Sequence, residues 1–278
     1  MNASARATTA RQVFAVQALE LRKRFLGKRA IPVYMLALIP LVLFGGRFVA
    51  AQIFHWNVET SLANDRVIYA VLYRTLILRF VVYFGCVAIF VPLFRGDILD
   101  RSLHYYFLAP LKRKTLTAAK YLSGLSAALT LFNGVTLATW TLMYLTVSPS
   151  ALVEQLRSAH GLLELGAYLL VTSLACVGYG AVFLAAGVFV KNPIVPAVAI
   201  LGWESINALL PPVLKKISVI HYLESLCPVS IPPDSGIAIL ADPASPWVAI
   251  PGIVLLAGAL VAFAAWRVRR LEILYGVE

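Results

Sequence analysis

Apolar residues along this chain arrive in blocks separated by short charged stretches, and block length decides what each can be. The blocks run from Ala30 to Gly46, Phe80 to Phe94, Tyr121 to Val153, Leu165 to Val190, Asn192 to Leu214 and Pro243 to Trp266. Crossing a hydrocarbon core of roughly 30 Å takes about 20 residues of helix, and each block with a few flanking residues reaches that length. No water inside a bilayer satisfies exposed amides, so helix is the expected spanning form, and these blocks are too long for barrel strands. The pattern predicts an all-α integral membrane fold with six transmembrane helices in one domain, 1–278. The spans fall at about 31–50, 75–94, 117–147, 165–190, 193–210 and 247–266.

Between the blocks the period changes. From about Ala10 to Gly27, Phe14, Ala18, Leu21 and Phe25 recur at helical spacing while Arg11, Gln17, Arg22, Lys23 and Arg24 take other faces, which predicts an N-terminal amphipathic helix (10–27) lying in the interface. The basic start, the apolar run and the small residues Val49, Ala50 and Ala51 imitate a secretory signal. The basic region is too long for one, so the segment is read as retained. A second amphipathic helix is predicted over Arg95 to Leu108, where Ile98, Leu99, Leu103, Tyr106 and Phe107 share a face. Pro110 disfavours helix at Ala109 and forces a turn. Lys112, Arg113 and Lys114 follow, and the third span opens near Leu116. The segment 95–115 is thus a compact protrusion between two spans. The neighbourhood Pro211 to Pro251 holds eight of the fifteen prolines, which excludes one long helix, although Ile217, Ile220, Leu223 and Leu226 suggest a short amphipathic one.

Composition and charge add class and sidedness. Hydrophobic residues make up 60% of the chain and charged residues 13%, against roughly 45–50% and 25% in soluble domains. With six spans, seventeen Lys and Arg fall on the side of both termini and seven on the other. By the positive-inside rule both termini are cytoplasmic. The net charge of +11 reads as topology and attraction to anionic headgroups, with membrane lipid and no nucleic acid as partner.

Candidate chemistry is sparse. Cys86, Cys176 and Cys227 form no CxxC pair, no histidine is spaced for zinc, and no GxxxxGK[ST], HExxH or GxSxG is present. The chain is therefore expected to be no enzyme, with no metal and no cofactor of its own. Glu204, with Asn207 one turn on, is the conspicuous polar group in an apolar span. The readings are a polar patch lining a pathway that contacts substrate or carries a proton, or a structural hydrogen bond between helices, or a helix end near the outer interface, given Pro211 and Pro212 just beyond. Arg79 and Arg47, near span ends, are expected to snorkel. Gly178, Ala181, Ala185 and Gly187 offer a small-residue packing face.

The run FRGDILDRSLHYYFLAPLKRKTLTAAKY, Phe94 to Tyr121, resembles the segment after the second span of ABC-2 type ABC transporter permeases. Asp97, Pro110, Lys112, Arg113 and Lys120 stand where that family has its acidic residue, its proline with basic neighbours and its third-span lysine. The family's acidic position is often Glu and here is Asp97. The order of features along the whole chain is similar too.

The resemblance implies a permease subunit in the plasma (inner) membrane that pairs with a second copy or a homologous permease. Two separate ABC ATPase subunits, carrying ATP and Mg, would bind through the N-terminal helix and the loop between spans two and three. On that basis Asp97, Asp100 and Arg101 would pair with ATPase charges, with Lys112 and Arg113 beside them at the turn, and Leu103 and Phe107 would fill a groove. The 211–246 segment would tuck short re-entrant helices into the outer leaflet, or rest there as a loop. Export of a lipidic or amphipathic substrate is the expectation. The alternative is a six-span protein not coupled to ATP, an ion-coupled carrier or an integral membrane enzyme.

Overall fold

The computed structural model of the chain describes residues 14, 17–18, 20–21, 27, 30–53, 62–99, 113–190, 192, 194–206, 218–229 and 244–270. Among these residues there are helices and no strands. In chain order they are α1 (Ile31–Gln52), α2 (Asn64–Leu99), α3 (Arg113–Val147), α4 (Pro149–Arg157), α5 (Ala159–Phe189), α6 (Ile194–Ser205), α7 (Val219–Ser225) and α8 (Pro246–Arg269). Five of them, α1, α2, α3, α5 and α8, are long and apolar enough to cross a membrane. The chain is an all-α, multi-pass membrane protein at that level. The segment expected as the fifth span appears as the shorter apolar helix α6, of 12 residues. Positions 207–210 lie outside the described residues.

Local signals set several boundaries. Ser148 caps α4 by accepting a hydrogen bond from the Ala151 amide at 3.1 Å, with Pro149 at the first helical position. Ser158 ends α4 and caps α5 through the Gly161 amide at 3.0 Å. One short polar helix therefore turns the chain between two long ones.

The ends of the long helices gather in two sets. At one end Gln52 of α1 donates to the Thr146 carbonyl of α3 at 3.0 Å, and Arg66 of α2 pairs with Glu164 of α5 at 2.8 Å. At the opposite end Arg113 of α3 donates to the Arg269 carbonyl of α8 at 2.8 Å, and the end of α5 lies on Val91 of α2. This is the alternation that successive crossings require.

Helices α3 and α5 form the middle of the bundle, with α1 packed on α3, α8 along both, and α2 wedged among α1, α3 and α5. The packed core is aromatic: Phe90, Phe132, Trp140, Tyr168, Tyr179 and Phe183 are all buried. Helix α1 is apolar all round but buries only Val33, Ala37, Pro40 and Phe44, leaving Met35, Leu38, Val42 and Leu43 bare. Such a face suits lipid and not water. The small residues of α5 let helices approach. A Cβ on Gly187 would stand 2.6 Å from the Val91 carbonyl oxygen, and one on Gly180 2.5 Å from the Phe90 ring. Of the packing face anticipated on this helix, Gly187 lies against α2 and Gly178 against Val219 of α7, 2.8 Å from where its Cβ would stand.

Helix α2 is not uniform. Tyr73–Val82 is π-helical, and Pro92, which brings no amide hydrogen, interrupts the rod again after Val91. In an α-helix Arg74 and Arg79, five residues apart, would diverge by about 140° around the axis. Here both reach the same neighbour: Arg74 donates to the Val229 carbonyl at 2.5 Å and Arg79 to the Glu224 carboxylate at 2.6 Å. Their target is α7 and the turn after it. Arg79, expected to snorkel, keeps its head part-exposed and is half of an ion pair. Arg47 likewise is bonded to buried Asp65.

Candidate functional site

Lysine at position 120 opens the apolar part of α3, and an ammonium there is tolerable only if its three donors are answered. All three are. Lys120, with no exposed surface, donates to the Glu20 carboxylate at 2.9 Å, to the Leu93 carbonyl at 2.8 Å and to the Asp97 carboxylate. The Phe94 ring lies 5.4 Å from its nitrogen. Glu20 and Asp97 are buried as well.

Three separate stretches of sequence meet at this lysine. Glu20 comes from the N-terminal segment, of which Phe14, Gln17, Ala18, Glu20 and Leu21 are described and helical. Leu93 and Asp97 come from the end of α2, where the charged loop begins. Lys120 sits just beyond that loop's far end. A second tie runs beside it, a long hydrogen bond of 3.4 Å from the Gln17 amide to the Ser126 hydroxyl. The loop's two roots and the N-terminal helix are therefore clamped to one cation. A buried pair of this kind is costly to break because it strands a charge in a dry site.

The structure distributes the remaining sequence-predicted residues unevenly. Asp97 turns inward to Lys120, so its carboxylate serves this chain's own fold. Arg113 reaches the last carbonyls of α8, Arg269 at 2.8 Å and Val268 at 3.4 Å, where a cation satisfies free acceptors and complements the helix dipole. Asp100, Arg101, Leu103, Phe107, Pro110 and Lys112 lie outside the described residues, as does Asn207.

Glu204 is 7% exposed and bonded on both sides. One oxygen accepts from the Tyr179 hydroxyl of α5 at 2.7 Å, and the other from the Ile220 amide of α7 at 3.4 Å. Tyr179 packs edge-on against Tyr83, whose own hydroxyl donates to the Ala197 carbonyl of α6 at 2.7 Å. The carboxylate therefore joins α5, α6 and α7, as the cross-helix reading of this residue requires.

Sequence reasoning passed over Glu20, Tyr179 and Glu224. Glu20 left a signal: it is the one acidic residue before Glu59, set in an otherwise basic segment. Phe14, on the apolar face expected to lie in the interface, is largely exposed. The face turned to the bundle is the one carrying Gln17 and Glu20.

No group of three or more His, Cys, Asp or Glu side chains that could hold a metal occurs among the described residues. Compared with known proteins, the chain matches no family model, no curated protein and no solved structure.

Proposed function

We propose that this chain is the membrane-embedded permease subunit of an ATP-binding cassette transporter, of the ABC-2 type, moved by separate ATPase subunits. The observation that carries the reading is the lysine clamp. The N-terminal helix and the loop between spans two and three are the two elements expected to take an ATPase's push. Both are fixed to Lys120, at the same end of the bundle. A push on one is transmitted to the helix bundle through buried, charge-assisted bonds instead of through a slack linker.

Two further observations support finer parts of the proposal. Helices α5 and α8 both finish at the clamped end, so the chain must return to the other end between Phe189 and Pro246. Helix α6 begins that return, which supports a sixth crossing. The clamped end also carries the larger share of Lys and Arg, which supports a cytoplasmic position for it and for both termini in the inner membrane. In this reading Leu103 and Phe107 meet the ATPase surface, and Asp97 holds the loop's root. The cargo is lipidic or amphipathic and moves outward, and a second permease copy completes the unit.

Co-expression with an ATPase chain that carries GxxxxGK[ST] tests this directly. The expected result is co-purification in detergent, lost on Leu103→Ser with Phe107→Ser. Retention of the ATPase by that double variant would sink the assignment. Substrate movement by the purified chain without any ATPase would favour an ion-coupled carrier instead.

A further inference from the structure

Away from the clamp, the opposite half of the bundle holds a cluster of aromatic side chains whose polar atoms are incompletely used. Tyr69 and Tyr168 meet edge-on with ring centres 5.0 Å apart, and Trp140 lies 4.5 Å from Tyr144 one turn along α3. Arg66 and Glu164 form an ion pair at 2.8 Å, within whose electrostatic reach both Tyr144 and Tyr168 lie. The hydroxyls of Tyr144 and Tyr168 and the indole N–H of Trp140 are buried and make no hydrogen bond among the described residues. The two tyrosines beside them, Tyr69 and Tyr73, are bonded. Tyr69 reaches the Thr136 carbonyl at 3.2 Å and Tyr73 the Thr172 hydroxyl at 2.8 Å.

A buried donor without an acceptor is unfavourable, and native structures carry few of them. Three in one cluster call for something from outside the chain that accepts hydrogen bonds. An indole N–H can only donate. The charge of the cluster narrows the choice further. Arg66 and Glu164 neutralise one another, and Arg74, within reach of Tyr168, is held by the Val229 carbonyl, so a cationic head is repelled while an uncharged one leaves these bonds intact. The walls are aromatic faces, which favour C–H surface. On one side Phe44 of the lipid-facing helix α1 closes against Tyr69 with ring centres 5.5 Å apart. A tail left in lipid beside α1 would be continuous with a headgroup at Tyr69.

We infer that this cluster is a binding site for the uncharged, oxygen-bearing headgroup of an amphipath, its oxygens accepting from Trp140, Tyr144 and Tyr168. That the site lies on a transport path rests on the permease reading; that it binds such a headgroup does not. The test therefore omits the ATPase.

The full chain, with Trp56, Trp203, Trp247 and Trp266 replaced by Phe, is placed in nanodiscs so that Trp140 is the remaining indole. Monolauroylglycerol is titrated against dodecyltrimethylammonium, which has the same tail length and a cationic head. The expected result is a saturable change in Trp140 emission with the glyceride and none with the ammonium compound. Tyr144→Phe and Tyr168→Phe should each weaken the response by about threefold to tenfold, the loss of one hydrogen bond. Tyr73→Phe, whose hydroxyl is already bonded within the protein, should lower the melting temperature without changing that affinity. Equal or unsaturable responses to both compounds would overturn the inference. So would unchanged affinity in Tyr144→Phe and Tyr168→Phe, since water alone would then be answering those hydroxyls.

Discussion

Two buried polar clusters of this bundle differ in how their donors are met. At the clamped end one lysine has all three donors matched by Glu20, Leu93 and Asp97. In the opposite half, Trp140, Tyr144 and Tyr168 bury donors that no described residue matches. Closed valence makes a joint that resists being pulled apart, because every separation strands a group in a dry site. Open valence makes a place that gains by accepting a guest. The permease proposed above would use one of each.

The difference can be broken by substitution, and the largest effect should come from the clamp. Lys120→Met leaves two buried carboxylates without their cation and should cost about 3–5 kcal/mol, read as the largest fall in melting temperature in detergent. Gly187→Val should come next, at about 1–3 kcal/mol, because its side chain would meet the Val91 backbone, which yields less easily than a side chain. Glu204→Leu orphans the Tyr179 hydroxyl and should cost about 1–3 kcal/mol, while Glu204→Gln, which keeps an acceptor oxygen, should cost clearly less. Arg79→Met breaks a half-exposed pair with Glu224 and should cost about 1 kcal/mol or less. Smallest of all, Tyr144→Phe should leave stability near that of the parent, since it removes a hydroxyl that bonds to no described residue. Equal falls for Lys120→Met and Tyr144→Phe would erase the contrast between the two regions.

Much of the helical plan was legible because apolar block length is a direct consequence of bilayer thickness. Helices α1, α3, α5 and α8 lie within a few residues of the spans expected at 31–50, 117–147, 165–190 and 247–266. Helix α2 runs well beyond 75–94 at its start, and the reason is physical. A hydropathy reading ends a span where charges begin, but Arg66, Arg74 and Arg79 each find an acceptor on another part of the bundle, so the rod continues past them. The candidate site was legible in part. Asp97 and Lys120 stood out by their place in the pattern, but their bond to each other and to Glu20 spans a hundred residues of sequence, which periodicity cannot report. Glu204 stood out as a buried acid, and of its readings the geometry supplies the interhelical bond. Its partner Tyr179 is one tyrosine among twelve, with nothing in the local pattern to single it out.

The π-helical stretch of α2 has a consequence for how the whole rod keeps its phase. Every fourth residue from Asp65 to Asp97 is buried: Asp65, Tyr69, Tyr73, Ile77, Val81, Gly85, Ile89, Leu93 and Asp97. In an unbroken α-helix four residues overshoot a turn by about 40°, so eight such steps would carry that seam about 320° around the axis and out of the core. The slower winding of i→i+5 turns through Tyr73–Val82 takes back part of the drift. The seam begins on a carboxylate that holds Arg47 and ends on one that holds Lys120. A single residue inserted or removed within the seam would leave both anchors intact in sequence yet out of step, one of them facing away from its base.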